Sequence, residues 1–145
     1  MEIKAIFFIS QNPQGEFSHA NLRSLFLTCN DIDSFTDVQR HLGTKCPSLA
    51  CLSLSECPIA DVPAISGDGG GLSSLVSLNV NMTKIADWSD VDNFRTFPSL
   101  QELRIRGTPL MEEYTAHERR SLLVARYTFG NMNYCVCRVF TSIHK

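Results

Sequence analysis

One spacing of apolar residues recurs four times in this chain and constrains its fold more than any other feature. Apolar residues stand at the first, fourth, sixth and eleventh positions of each copy, and Asn, Cys or Thr stands at the ninth. The copies occupy residues 22–32, 49–59, 75–85 and 100–110. From one copy to the next, the fourth position advances from Leu25 to Leu52, Leu78 and Leu103.

This spacing and a period of about 25 residues are typical of leucine-rich repeats. Alternate residues of a strand share a face, so the apolar residues two apart in each copy predict a short strand. Parallel strands need crossover connections, and no single repeat can bury its apolar face alone. We therefore predict an α/β fold, namely a leucine-rich repeat solenoid of about four repeats. Its curved parallel sheet would carry helices and loops on the convex side.

Two of the connections carry helix signals at the same place. Thr36 and Ser89 are the predicted N-caps, because each has a polar residue three positions later. Phe35 and Trp88 directly precede them and are expected to pack inward. A third helix is predicted from the capping box Thr115-x-x-Glu118 up to Arg126, with Leu122 and Leu123 covering the end of the core.

The connection over residues 60–74 differs from the other two. It contains Pro63 and the glycine-rich run 67–71, and this composition predicts an exposed, mobile loop. A phosphate-binding loop is the alternative for the glycines. The run lacks the following Lys-Ser/Thr and a helix N-terminus that could face a phosphate, so a flexible loop is favoured.

The domain organisation follows from these elements. Residues 22–126 are predicted to hold the repeats and the closing helix, residues 1–21 a partial repeat or irregular segment, and residues 127–145 an atypical tail. Neither end has the polar cap that a solenoid requires. We therefore expect marginal stability and a chain that is a part or a variant of a longer protein.

No set of residues indicates catalysis or metal binding. The His117-Glu118 pair lacks the second histidine of a zinc-protease helix, and no two of the six cysteines have C-x-x-C spacing. Cys57 is expected to be a small buried residue at a turn. We predict no enzyme, no catalytic residue, no metal site, no cofactor and no small-molecule substrate.

Charge and hydropathy exclude further classes of partner. The net charge of −2 shows no basic excess for nucleic acid, and no apolar run is long enough to span a membrane. The first residues lack the features of an export signal, so we expect free thiols in a cytosolic protein. A secreted repeat fragment with disulfide bonds is the alternative, and counting free thiols would distinguish the two.

The side chains between the inward leucines predict a binding surface. They lie on the concave face of the expected sheet. These residues are Phe26, Thr28, Ser53, Ser55, Asn79, Asn81, Arg104 and Arg106. Arginine suits carboxylate-bearing partners because its guanidinium forms two parallel hydrogen bonds to a carboxylate. The alternative is that Arg104 and Arg106 are ordinary surface charges.

Three segments resemble the end of the repeat domain in the tubulin-folding cofactor E family. They are Lys84-Ile-Ala-Asp-Trp-Ser-Asp-Val-Asp92, Phe97-Pro-Ser-Leu-Gln-Glu-Leu-Arg-Ile-Arg-Gly-Thr-Pro-Leu110 and Tyr114-Thr-Ala-His-Glu-Arg-Arg-Ser-Leu-Leu-Val-Ala-Arg126. The resemblance extends from about Asn21 to Arg126. Family members continue after Ala-Arg with Leu-Pro, where this chain has Tyr127-Thr128. They also carry more repeats upstream and a ubiquitin-like domain downstream, so functions that need those parts are not expected here.

This resemblance implies a function without catalysis. It implies binding of α-tubulin, an acidic protein, by a cytoplasmic and cytoskeleton-associated protein that affects tubulin folding, tubulin stability or microtubule organisation. One hypothesis is that Arg104 and Arg106 help bind tubulin, although ordinary surface charge is the favoured interpretation of these two arginines. The alternative is a generic leucine-rich repeat scaffold for protein–protein interaction with a different partner.

Overall fold

The computed structural model describes residues 19–65 and 71–128, with side chains up to Arg126, and contains a four-stranded parallel sheet. The strands are β1 (Ser24–Phe26), β2 (Cys51–Ser53), β3 (Ser77–Asn79) and β4 (Glu102–Arg104). They lie side by side in chain order, and each pairs in parallel with the next. The predicted α/β class and parallel sheet are confirmed.

The register of the sheet reproduces the sequence repeat. The second leucines of the four copies are Cα partners across the strands: Leu25, Leu52, Leu78 and Leu103. The last three are buried, whereas Leu25 on the outermost strand is partly buried against the core. The alternation of apolar residues that predicted the strands therefore also predicts which face of each strand points to the core.

Four helices occupy the connections and the end of the described chain. They are α1 (Phe35–Lys45), α2 (Trp88–Asn93), α3 (Pro109–Glu112) and α4 (Ala116–Thr128), and a 3-10 turn (Phe94–Thr96) follows α2 directly. No cis peptide bond occurs in the described ranges. The segments 1–18, 66–70 and 129–145 lie outside the described residues, and with them most of the predicted N-terminal segment and tail.

The predicted N-caps of α1 and α2 are wrong by two residues. Ser34 caps α1, since its backbone is extended and its hydroxyl accepts a hydrogen bond from the Asp37 N–H at 3.2 Å. Asp87 occupies the same position before α2. Thr36 and Ser89 lie inside the helices. Ser34 caps α1 through its hydroxyl, whereas the Asp87 side chain makes no capping hydrogen bond.

The capping box before α4 is confirmed. The Thr115 N–H and hydroxyl both donate to Glu118 Oε2, at 2.8 and 2.7 Å, and the Glu118 N–H donates to Thr115 Oγ1 at 3.3 Å. These bonds from Thr115 lower the pKa of Glu118 below its usual value. Farther along α4, Leu123 is buried and Leu122 is half-buried, so the helix covers the end of the core as expected.

Three fully buried phenylalanines join the first connection to the third. Phe35 is the first residue of α1, while Phe94 and Phe97 belong to the 3-10 turn and its end. The Phe35 ring meets each of the other two edge-on, with centroids 6.1 and 5.9 Å away. Because the connection between them contains no helix in its described part, α1 can reach the third connection directly.

The predicted exposed, mobile loop over residues 60–74 is corrected in its described parts. Val62 and Leu72 are buried. The Val62 N–H donates to Asp90 Oδ1 at 2.8 Å, and the Val62 carbonyl accepts from Asn93 Nδ2 at 2.7 Å. Residues 67–70 of the glycine run lie outside the described residues. The composition predicted that this connection lacks a helix, and its described parts contain none. It could not predict that α2 anchors the connection, because that contact arises from tertiary packing.

Gly43 in the first connection and Gly71 in the second form a close backbone contact. A Cβ atom added to Gly43 would lie 2.2 Å from the Gly71 Cα, and one added to Gly71 would lie 2.4 Å from the Gly43 Cα. Gly71 also has φ +88°, a conformation that favours glycine. Only residues without a side chain allow α1 to pack this closely on the second connection.

A left-handed turn recurs after each strand. Cys29, Glu56, Met82 and Gly107 have φ values of 58, 60, 57 and 66°, at equivalent positions of the four repeats. In three of the repeats, the side chain of the next residue donates a hydrogen bond to a backbone carbonyl. Asn30 and Cys57 donate to the Leu27 carbonyl, and Thr83 donates to that of Val80. Cys57 is buried, as predicted, and this burial raises the pKa of its thiol.

Candidate functional site on the exposed sheet face

The side of the sheet opposite the leucines forms one continuous polar surface, which we call the exposed sheet face. Alternation along each strand brings twelve side chains to it. They are Ser24, Phe26 and Thr28; Cys51, Ser53 and Ser55; Ser77, Asn79 and Asn81; and Glu102, Arg104 and Arg106. All eight residues predicted from the sequence therefore come together. Ser24, Cys51, Ser77 and Glu102 were missed, although the same alternation, taken two residues earlier, indicates them.

Exposure differs sharply across this face. Phe26 on β1 is 74% exposed, and Arg104 and Arg106 on β4 are also exposed. In contrast, Ser53 is buried, with 5% exposure, although we expected it to face solvent. The reason is the length of its neighbours, since its short side chain lies between the longer side chains of Thr28 and Asn79.

Hydrogen bonds between side chains link the first three strands. Ser53 Oγ lies 3.2 Å from Thr28 Oγ1 and accepts a hydrogen bond from Asn79 Nδ2 at 3.2 Å. The Ser55 hydroxyl also donates to Thr28 Oγ1, at 3.3 Å. This network spans strands that are distant in sequence. It orients the polar groups of the face before any partner arrives.

A separate set of contacts links β3 to β4. The Arg104 guanidinium pairs with Glu102 Oε1, with both Nε and Nη2 at 2.8 Å, and the Ser77 hydroxyl donates to Glu102 Oε2 at 3.0 Å. Arg104 and Glu102 are both partly open to solvent, so their ion pair contributes little to stability. Glu102, Arg104 and Arg106 together carry a net charge of +1.

The described residues offer neither a metal site nor a membrane span. No group of three His, Cys, Asp or Glu side chains in residues 19–65 and 71–128 could hold a metal ion. None of the helices in this part of the chain has the length and apolarity that crossing a membrane requires. The four described cysteines, Cys29, Cys46, Cys51 and Cys57, are free thiols, whereas Cys135 and Cys137 lie outside the described residues.

The exposed sheet face is chemically mixed. It combines one exposed aromatic ring, a row of hydroxyl and amide groups, and two guanidinium groups. Arginine and aromatic residues are enriched where proteins bind one another. His117, the histidine of the incomplete metalloprotease pattern, is exposed on α4.

Comparison with known proteins identifies relatives of this chain. No protein-family model matches the chain. The tubulin-specific chaperone cofactor E-like protein of Rattus norvegicus is 36% identical over 110 residues, and that of Homo sapiens is 34% identical over 110 residues. Each match covers 73% of this chain. The tubulin-specific chaperone E of Dictyostelium discoideum is 28% identical over 109 residues, which is 68% of this chain and 21% of that protein.

The matched relatives are much longer than the region that this chain matches. The chain spans 25% of the length of the rat and human relatives. The family resemblance of the sequence is confirmed over most of the chain, and it concerns one region of larger proteins. This chain is a homologue of part of the tubulin-specific chaperone cofactor E-like proteins.

Proposed function

We propose that this chain is a leucine-rich repeat region that binds tubulin through its exposed sheet face, without catalysis. The matched register of the four strands with the sequence repeat supports a curved solenoid over residues 22–126. The names of its relatives support tubulin as the partner. By extension, the chain would act in the cytoplasm, in association with the cytoskeleton, and affect tubulin folding, tubulin stability or microtubule organisation.

One observation carries this proposal. Arg104 is the last residue of β4, Arg106 follows two residues later on the same face, and both are exposed. Tubulin is acidic, and a guanidinium group binds a carboxylate with two parallel hydrogen bonds. Opposite charges on two surfaces also accelerate association and fix the orientation of the complex. α-Tubulin is the subunit that the family resemblance favours.

Reversal of both charges tests the proposal. We expect the double variant Arg104→Glu, Arg106→Glu to bind purified tubulin at least tenfold more weakly, because attraction to carboxylates becomes repulsion. The measurement is a titration of the labelled full chain with tubulin at low ionic strength. Circular dichroism would show that the variant keeps its fold.

A matched control separates local contacts from overall charge. Arg95 lies in the 3-10 turn after α2 and Arg120 lies on α4; both are exposed, and neither belongs to the sheet face. The double variant Arg95→Glu, Arg120→Glu makes the same change in net charge and should retain tubulin binding. Equal affinities for the wild-type chain and the Arg104/Arg106 variant would refute the proposal and leave the two arginines as ordinary surface charges.

A further inference from the structure

The exposed sheet face is deeper along its middle than along its two sides. The inner strands carry only short side chains there, and each is buried or half-buried: Cys51, Ser53, Ser55, Ser77, Asn79 and Asn81. The long exposed side chains are Phe26 on β1, Arg104 on β4 and Arg106 two residues later, whereas Ser24 and Thr28 on the β1 side are exposed but short. The result is a shallow trough that runs parallel to the strands. One side is aromatic and the other is cationic.

The width of this trough matches a helix. Neighbouring strands lie about 4.8 Å apart, so β1 and β4 are separated by about 14 Å. An α-helix with its side chains is about 10–12 Å in diameter.

The spacing of the arginines fits the same occupant. Arg104 and Arg106 are two residues apart on a strand, which corresponds to about 6.6 Å. On an α-helix, carboxylates four residues apart lie on one face and are separated by about 6 Å along the axis. Two acidic residues with this spacing would therefore each face one guanidinium group.

We propose that the exposed sheet face binds an acidic amphipathic helix that lies along the strands. Two carboxylates four residues apart face Arg104 and Arg106, and an apolar side chain covers Phe26. The inference deepens the proposed function and rests on it for the identity of the partner protein. It adds the shape and the chemistry of the segment that this surface recognises.

Two features of the surface favour such binding. Hydrogen bonds already join Thr28, on the exposed β1 side, to Ser53 and Ser55 at the base of the trough, and Ser53 to Asn79, so little ordering is needed on association. Phe26 offers a large apolar area that loses water when covered. Glu102 opposes binding, because it shares Arg104 and carries the same charge as the incoming carboxylates.

Synthetic peptides test the helix directly. The probe is a fluorescent, side-chain-crosslinked helical peptide with two glutamates four residues apart and a leucine on the flank. A second peptide has the same composition with prolines that prevent helix formation, and a third has lysines in place of the glutamates. We expect the helical acidic peptide to bind the full chain at least tenfold more tightly than either. Equal or tighter binding of the proline peptide, or no binding of the helical one, would overturn the inference.

Variants of the chain identify the contacts. Phe26→Ala should weaken binding of the helical acidic peptide at least tenfold, and Glu102→Gln should strengthen it severalfold. The double variant Arg104→Glu, Arg106→Glu should prefer the lysine peptide over the glutamate peptide. Phe26 is 74% exposed, so its loss should leave the fold intact. Unchanged peptide affinities in all three variants would contradict the assigned contacts.

The two proposals can fail separately. If charge reversal abolishes tubulin binding but the helical peptide shows no advantage, tubulin is the partner and the helix inference is wrong. If the helical peptide binds as expected but tubulin binding survives charge reversal, the trough recognises acidic helices and the proposed function is wrong.

Discussion

Replacement of Phe35 by alanine is expected to lower the free energy of unfolding by about 3–5 kcal/mol, the usual cost of removing a buried phenylalanine. Phe35 is fully buried and packs edge-on against both Phe94 and Phe97. Its ring is the contact that joins α1 to the third connection, so the cavity would open between two repeats. Adjacent backbone could close it only by moving α1.

Urea denaturation followed by circular dichroism measures this effect. Phe26→Ala is the matched control, because it removes the same side chain from an exposed site and should change stability by no more than about 0.5 kcal/mol. The double variant Phe35→Ala, Phe94→Ala should cost less than the sum of the single variants, since they share one contact. A Phe35→Ala cost below about 1 kcal/mol would contradict the described packing.

Replacement of Gly43 by alanine should also destabilise the protein, which reverses the usual trend. In an exposed helix, alanine is more favourable than glycine by about 1 kcal/mol. Here the new Cβ would lie 2.2 Å from the Gly71 Cα and 2.5 Å from its carbonyl oxygen. Both are backbone atoms, so relief requires α1 to move from the second connection. We expect a loss of about 1–3 kcal/mol, as for other overpacked sites.

Thr44→Ala provides the control for helix propensity. Thr44 is the next residue of α1, is exposed, and hydrogen-bonds only to the Arg40 carbonyl within its own helix. Its replacement should leave stability unchanged or slightly raised. Thermal unfolding of both variants decides the point. A Gly43→Ala variant as stable as Thr44→Ala would show that the two glycines do not touch.

The sequence predicts local structure well where one period dominates. Strand positions and register followed from the recurring leucines, because a shift by one residue would expose every one of them. The capping box at Thr115 was also correct. The N-caps of α1 and α2 were missed because Ser34 and Asp87 stand two residues before the predicted positions, and each begins the helix earlier.

Contacts between repeats were the part that the sequence did not predict. Val62 and Leu72 looked like members of an exposed loop, yet α2 anchors the first and the core buries the second. The contact between Gly43 and Gly71 joins two segments with no recurring pattern. Such packing depends on which connections lack a helix. That depends on all the connections of the sheet together, and not on the sequence of one connection.

The sequence predicted which residues lie on the exposed sheet face, but not how exposed each of them is. Alternation along the strands assigns a side chain to a face, but its exposure depends on the lengths of the residues beside it on neighbouring strands. Ser53 is buried for this reason, between Thr28 and Asn79. The difference in side-chain exposure between the inner and outer strands could be recognised only once the pairing register of the strands was known.

Photo-crosslinking to tubulin tests the central claim, that the exposed sheet face contacts tubulin, most directly. A photoreactive amino acid would replace either Thr28 at the rim of the sheet face or Thr44 on α1, both of which are exposed. After irradiation with purified tubulin, we predict crosslinks from position 28 and few or none from position 44. Crosslinks from position 44 alone, or in equal yield from both, would contradict the claim.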